Sequence, residues 1–288
     1  MNYCTPREIV QNALQTGVGK SRLPVPDMLA LGALAGAYIA FAAEGSTMAV
    51  HDVASVGFGR FLAGVIFATG LMLVVICGAE LFTGNALLWL GFLEKKVSPA
   101  LLLRNWWWVY LGNLLGSILL AGMMDASGLW SYNHFLHGGY VLKLAVAKVN
   151  LSFSEAFFRG ILCNWLVCLA LWMAYAAKDI AGKIWGIFFP IMLFITSAFE
   201  HSVANMYYLS DGLLAKACPP LVAASGVAAQ ADALTVQAAL IKNLLPVTLG
   251  NIVVGALFIG SCYWYCYRER PGADLDSRCP AGEIGENR

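Results

Sequence analysis

Residues 61–93 carry a single charged side chain, Glu80. Folded as one helix, this run of roughly 33 residues would extend about 50 Å. A hydrocarbon core is only about 30 Å thick and is crossed by roughly 20 apolar residues. Gly78, Thr83, Gly84 and Asn85 punctuate the run, so the expected solution is a helix that breaks inside the membrane. A second apolar stretch, about 184–208, has the same character. Pro190 and then "SAFEHSVANMYYL" interrupt it, placing Glu200, His201 and Asn205 where hydrocarbon would be expected.

The composition agrees with a membrane setting. Charged residues are 12% of the 288 and hydrophobic residues 59%, with mean hydropathy +0.69; a soluble domain carries about 25% charged residues. The opening "MNYCTPREIVQNALQTGVGKSRLPVPD" has no apolar core, so no secretory signal is expected. A net charge of +1 gives no reason to expect a nucleic-acid partner. The eight cysteines show no CxxC pair or regular ligand spacing. They read as small packing residues, and no metal or cofactor is expected.

Six spans are expected, at about 28–43, 61–93, 106–124, 156–177, 184–208 and 244–267. Segments 44–60, 125–155 and 209–240 read as long loops, and 94–103 and 178–183 as short basic ones. Arg7, Lys20, Arg22, Lys95, Lys96, Lys178, Lys183 and the "RER" after the last span all fall on one side of a six-span chain. By the positive-inside rule that side is cytoplasmic, with both termini inside and the chain in the cell (inner) membrane. Trp106, Trp107 and Trp108 read as an interfacial belt. The chain divides into a cytoplasmic segment 1–27, a transmembrane domain 28–268 and a tail 269–288.

The two interrupted spans match each other. "AELFTGN" and "FEHSVAN" both place Glu and Asn five residues apart: Glu80 with Asn85, Glu200 with Asn205. "RNWWWVYLGN" (104–113) aligns with "KNLLPVTLGN" (242–251), and "GALAGA" (32–37) more weakly with "GILCNW" (160–165). Each half thus has three spans with the second broken, and an odd number forces the halves into opposite orientations. The expected fold is all-α and membrane-integral, a 3+3 inverted repeat with broken helices 2 and 5. Such repeats build transport pathways near the bilayer midplane. The backbone groups freed at a break must face protein or a water-filled cavity.

An ionisable residue at membrane depth marks function by default, which singles out His201; the alternative is a hydrogen-bonded structural imidazole. Glu80 and Glu200 read as structural, their carboxylates accepting from N–H groups freed at the breaks. Asn113 and Asn251 of the two "LGN" motifs read as helix-packing residues. His51, His134 and His137 fall in expected loops, which disfavours an intramembrane haem or redox subunit, and no enzyme activity is expected.

The motifs "GAELFTGN", "YLGNLLGS", "LCNWLVCLALWM", "FEHSVANM" and "NLLPVTLGN" together resemble the formate/nitrite transporter family over about residues 25–268. The resemblance implies a homopentamer of six-helix, aquaporin-like protomers in the lipid bilayer, each with its own pore for small monovalent anions of weak acids or their neutral acids. It implies that His201 is the central pore histidine, that Thr83 hydrogen-bonds it, and that Asn164 and Asn205 line the pore. It places constrictions at Phe67, Leu71, Phe82, Val167 and Phe194, and the loop residue Lys148 near a vestibule. Glu200 resembles a glutamate that holds the broken backbone. An anion is strongly disfavoured between apolar walls, and its conjugate acid gains a higher pKa there. It could take a proton from water or from an imidazole, whose charge changes near neutral pH. Formate, nitrite and hydrosulfide all fit; "GAELFTGN" and "CNWLVCLALWM" resemble the nitrite branch at least as much as the formate branch, whereas "NLLPVTLGN" and "RNWWWVYLGN" resemble the formate branch, and formate is the expected substrate by a narrow margin.

Overall fold

The computed structural model describes residues 3–268; the tail expected at 269–288 lies outside them. Helices dominate, and the only β-type pairing among the described residues is an isolated bridge between Tyr3 and Ala177. In chain order the elements are α1 (Pro6–Ser21), α2 (Val25–Val50), α3 (Val56–Cys77), α4 (Phe82–Leu93), α5 (Pro99–Ser127), α6 (Leu136–Val149), α7 (Phe153–Ala176), α8 (Ile180–Thr196), α9 (Ser202–Ala215), α10 (Pro219–Ala224) and α11 (Val236–Tyr267). Five of them, α2, α3, α5, α7 and α11, are long and apolar enough to cross a membrane. The remaining crossing is assembled from α8 and α9, as α3 and α4 together form the second. The protein is a multi-pass, all-helical membrane protein.

Local signals set the helix ends. Thr5 and Glu8 form a capping box at α1, and Ser152 and Glu155 form another at α7. Two bonds from Thr5 hold the exposed Glu8 carboxyl below its usual pKa. Asp179 caps α8 through the Gly182 N–H, 2.8 Å.

Several expected loops are helical. The first span runs on to Val50, leaving little of 44–60 irregular. Segment 1–27 contributes α1, which packs Ile9, Val10, Ala13 and Leu14 into the core. Segment 125–155 holds α6, whose Val141, Leu142, Ala145 and Val149 are buried. In 209–240, α9 continues to Ala215 and α10 buries Leu221. Pro190 sits inside α8 without ending it. The last span starts earlier than expected, at Val236, with π-helical turns at Ala239–Leu244 and Val253–Gly260. The tryptophans point in different directions: Trp107 is exposed, whereas Trp106 turns inward and donates from Nε1 to the Asn85 carbonyl, 2.9 Å.

The two halves are bound by the same contacts. In the first, α2 crosses α5 so closely that a Cβ on Gly116 would lie 1.9 Å from the Ala33 carbonyl oxygen. In the second, α7 crosses α11, and a Cβ on Gly250 would lie 2.2 Å from the Phe157 carbonyl oxygen. Small residues permit backbone-to-backbone packing of this kind in membranes.

The breaks repeat as well. Gly78 (φ 80°) ends α3 and Ala198 (φ 56°) follows α8, both in the left-handed region. After each turn a backbone N–H reaches back: Ala79 to Val74 O, 2.9 Å, and Phe199 to Phe194 O, 3.1 Å. Glu80 N donates to Leu31 O and Glu200 N to Arg159 O. The "LGN" asparagines do more than pack. Asn113 donates from Nδ2 to the Gly32 and Glu80 carbonyls, both 2.8 Å, and accepts from Phe82 N at Oδ1, 2.9 Å. Asn251 donates to the Gly160 and Glu200 carbonyls, 2.8 and 3.2 Å, and accepts from Ser202 N, 3.0 Å. Each amide therefore ties a break to the first helix of its own half.

Because the α2–α5 contact is backbone on backbone, neither partner has a side chain that could yield. Gly116→Ala should destabilise the folded protein by about 2 kcal/mol or more. Gly122→Ala on the same helix, where a Cβ meets nothing within 4 Å, should be neutral. Thermal unfolding of the two variants in detergent checks this; equal midpoints would contradict it.

Candidate permeation site

His201 caps the N-terminus of α9. Its Nδ1 accepts from Ala204 N, 3.1 Å, so the proton of the neutral ring sits on Nε2. That nitrogen faces Thr83 Oγ1 at 2.8 Å and donates to it. Thr83 lies in the first turn of α4, so one hydrogen bond joins the half-helices that follow the two breaks. Both residues are buried, Thr83 at 0% and His201 at 3% exposure.

A narrow space beside this pair is lined by Ile39, Phe67, Leu71, Leu81, Val167, Ile191, Phe194 and His201. His201 is its one polar wall. Phe67 and Phe194 meet edge to face at 5.6 Å, and the Phe194 ring lies 5.9 Å from the imidazole. A larger cavity of about 210 Å³ opens on the α1 side, lined by Thr16, Lys20, Glu80, Tyr175 and Lys183 among others. Leu71 and Leu81 border both spaces, so these two leucines form the partition between them.

Four of the five expected constriction residues, Phe67, Leu71, Val167 and Phe194, line the narrow space. Phe82 does not. Its ring turns away and packs edge-on against Trp106 and Tyr110, because the start of α4 aims Leu81 at the cavity instead. Asn164 and Asn205 are absent from both linings. Asn164 donates to the Thr83 and Asn251 carbonyls, 3.2 and 2.7 Å; Asn205 is bound to the carboxylate network below.

That network exists twice. Lys20 Nζ lies 3.0 Å from Glu80 Oε1 and 3.1 Å from Asn85 Oδ1. Asn85 Nδ2 donates to Glu80 Oε2, 2.8 Å, and to Asn105 Oδ1, 2.9 Å, while Asn105 donates to the Lys20 carbonyl, 3.1 Å. In the other half, Lys148 Nζ lies 3.0 and 3.1 Å from the two Glu200 oxygens. Asn205 Nδ2 donates to Glu200 Oε2, 2.6 Å, and to Asn243 Oδ1, 2.8 Å, and Asn243 donates to the Lys148 carbonyl, 3.0 Å. The carboxylates thus bind lysine and asparagine side chains, while the freed Phe82 and Ser202 N–H groups go to Asn113 and Asn251. Lys148 is not a loop residue: it stands in the last turn of α6.

Sequence reading missed Lys20, Asn105 and Asn243. Two signals could have found them. Lys20 precedes Gly32 by the same interval as Lys148 precedes Gly160, and Asn105 and Asn243 occupy matching places in the aligned "RNWWWVYLGN" and "KNLLPVTLGN". A second buried imidazole also went unforeseen. His137, expected in a loop, is fully buried on α6, with Nε2 3.1 Å from Glu44 Oε1 and Nδ1 3.3 Å from the Leu129 carbonyl.

Comparison with known proteins gives concordant results. The family model for formate/nitrite transporters matches residues 7–265. The chain is 39% identical over 266 residues to a probable formate transporter of Methanothermobacter thermautotrophicus, covering 86% of this chain and 91% of that protein. It is 35% identical over 267 residues to the formate channel FocA of Escherichia coli K12, covering 91% of this chain and 94% of that one. Among solved structures, a pentameric formate channel with formate bound matches with a TM-score of 0.77 at 34% identity, over 85% of this chain and 98% of that chain. An FNT family ion channel matches with the same TM-score at 31% identity, over 90% and 98%. The chain is a member of the formate/nitrite transporter family.

Proposed function

We propose that this protein is a membrane channel passing small monovalent anions of weak acids, with formate as its substrate, and that it works as a homopentamer with one path per protomer. The observation that carries the reading is the Thr83–His201 pair, a single polar contact set in an otherwise apolar passage. The names of the relatives, formate transporter and formate channel, support the substrate, and the pentameric structural match supports the assembly. The role is conduction, not catalysis.

The physics of the passage follows from its walls. A bare carboxylate is poorly tolerated between phenylalanine and leucine side chains, whereas formic acid is tolerated much better. As formate leaves the vestibule past Leu71 and Leu81, the falling polarity raises its pKa and favours uptake of a proton. His201, the one polar wall of the narrow space, stands midway, where the solute has lost its water, and its Nε2–H can exchange the Thr83 hydroxyl for the solute as acceptor. Glu80, Glu200, Asn164 and Asn205 hold the half-helices in place, and the ion-paired Lys20 and Lys148 complete the braces. Both termini are cytoplasmic and the protein sits in the inner membrane, which the lysine and arginine distribution supports.

Three outcomes test this reading. Replacing His201 by Phe removes a donor to a partly charged solute, a loss of about 1.5–3 kcal/mol or roughly 10- to 100-fold in formate flux. The flux–pH profile should change with it, and the oligomer should remain intact by size-exclusion chromatography. Wild-type flux in His201→Phe between pH 5 and 8 would remove the histidine from the mechanism. In proteoliposomes offered equal formate, nitrite and hydrosulfide at pH 7, formate should move fastest; faster nitrite or hydrosulfide would reassign the substrate and leave the architecture standing. Cysteines placed in 178–183 should resist membrane-impermeant reagents in intact cells, and labelling from outside would invert the topology.

A further inference from the structure

The two central lysines are not free to attract an anion. Lys20 is bound to Glu80 and Asn85, and Lys148 to both oxygens of Glu200. Each pair sums to zero charge, and both carboxylates are buried. The cavity on the α1 side is nevertheless lined by a second lysine, Lys183, in the first turn of α8. Among the described residues no side chain lies within hydrogen-bonding or ion-pair distance of its ammonium group. Its backbone N–H donates to Asp179 O, and the Asp179 carboxylate is occupied by the Gly182 N–H. Lys183 also breaks the repeat. Counting back from the break, where Ala198 corresponds to Gly78, the residue at its place in the first half is Ala63. The two halves share the lysine–glutamate brace, and Lys183 has no counterpart at the matching position of the first half.

We propose that Lys183 is the anion-capturing residue of the vestibule on the α1 side, binding monovalent weak-acid anions before they pass Leu71 and Leu81. The proposal rests on the anion-channel reading above and deepens it. An unpaired ammonium at the wall of a low-polarity cavity concentrates anions by its field, and the positive end of the α8 dipole adds to it. Lys20, on the same wall, holds α1 against α4 and contributes little net field. Capture at Lys183 is electrostatic, so it acts on formate and nitrite alike and on half-saturation more than on maximal rate.

The test is formate uptake into proteoliposomes, with the α1 side facing the formate-containing medium, for the wild type, Lys183→Met, Lys183→Arg and Lys178→Met. At about 10 mM ionic strength the Debye length is roughly 30 Å, and at 1 M it is about 3 Å. In low salt Lys183→Met should raise the half-saturating formate concentration roughly threefold or more with little change in maximal rate. Lys183→Arg and Lys178→Met, the latter an exposed lysine outside the cavity, should match the wild type. In high salt all four proteins should converge, and nitrite should show the same pattern. Unchanged half-saturation in Lys183→Met at low salt would overturn the proposal, as would a defect that high salt leaves intact or that Lys183→Arg shares, since either marks a packing role. A wild type that passes neither formate nor nitrite would overturn the channel reading itself, a result distinguishable from failure at Lys183 alone.

Discussion

Every feature of the site depends on one constraint: a helix broken inside a membrane exposes backbone donors and acceptors that hydrocarbon cannot satisfy. The protein meets it twice with one device. A buried asparagine on the third helix of each half, Asn113 or Asn251, bonds the first helix, the carbonyl at the break and the first amide of the returning half-helix. One amide side chain supplies two donors and an acceptor, which is what such a gap requires. The break becomes rigid, and a rigid break can hold His201 at a defined distance from Thr83.

Around the breaks, charge is arranged to cancel. Buried carboxylates are costly unless paired and hydrogen-bonded. Glu80 and Glu200 each have a lysine and an asparagine within bonding distance. Each brace therefore places no net charge beside the break it holds.

The repeat is close in its braces and differs at its centre. Leu81 stands in the first half where His201 stands in the second, and Val203 answers to Thr83. Two copies of a hydrogen-bonding pair would make the middle of the passage wet. A single pair, walled by Ile39, Phe67, Leu71, Val167, Ile191 and Phe194, leaves the space beside it narrow and apolar.

The sequence by itself determined the crossings, the positions of both breaks and the polar residues beside them, because length, hydropathy and glycine punctuation are local properties. It also carried the internal repeat, since "AELFTGN" and "FEHSVAN" share the glutamate and asparagine that the two braces use. Only the tertiary structure decided where those side chains point. Phe82 and Leu81 are adjacent and both apolar; the packing of α4 against α5 turns Phe82 onto Trp106 and Tyr110 and leaves Leu81 on the passage. Asn113 and Asn251 read as packing residues because their partners lie tens of residues away, and Lys20 read as a tail residue because its Glu80 partner is equally remote. The expected loop 125–155 proved helical for a related reason: a short amphipathic helix buried against α9 carries too weak a local pattern to stand out beside full membrane spans. Contacts across the chain, rather than spacing along it, made these assignments.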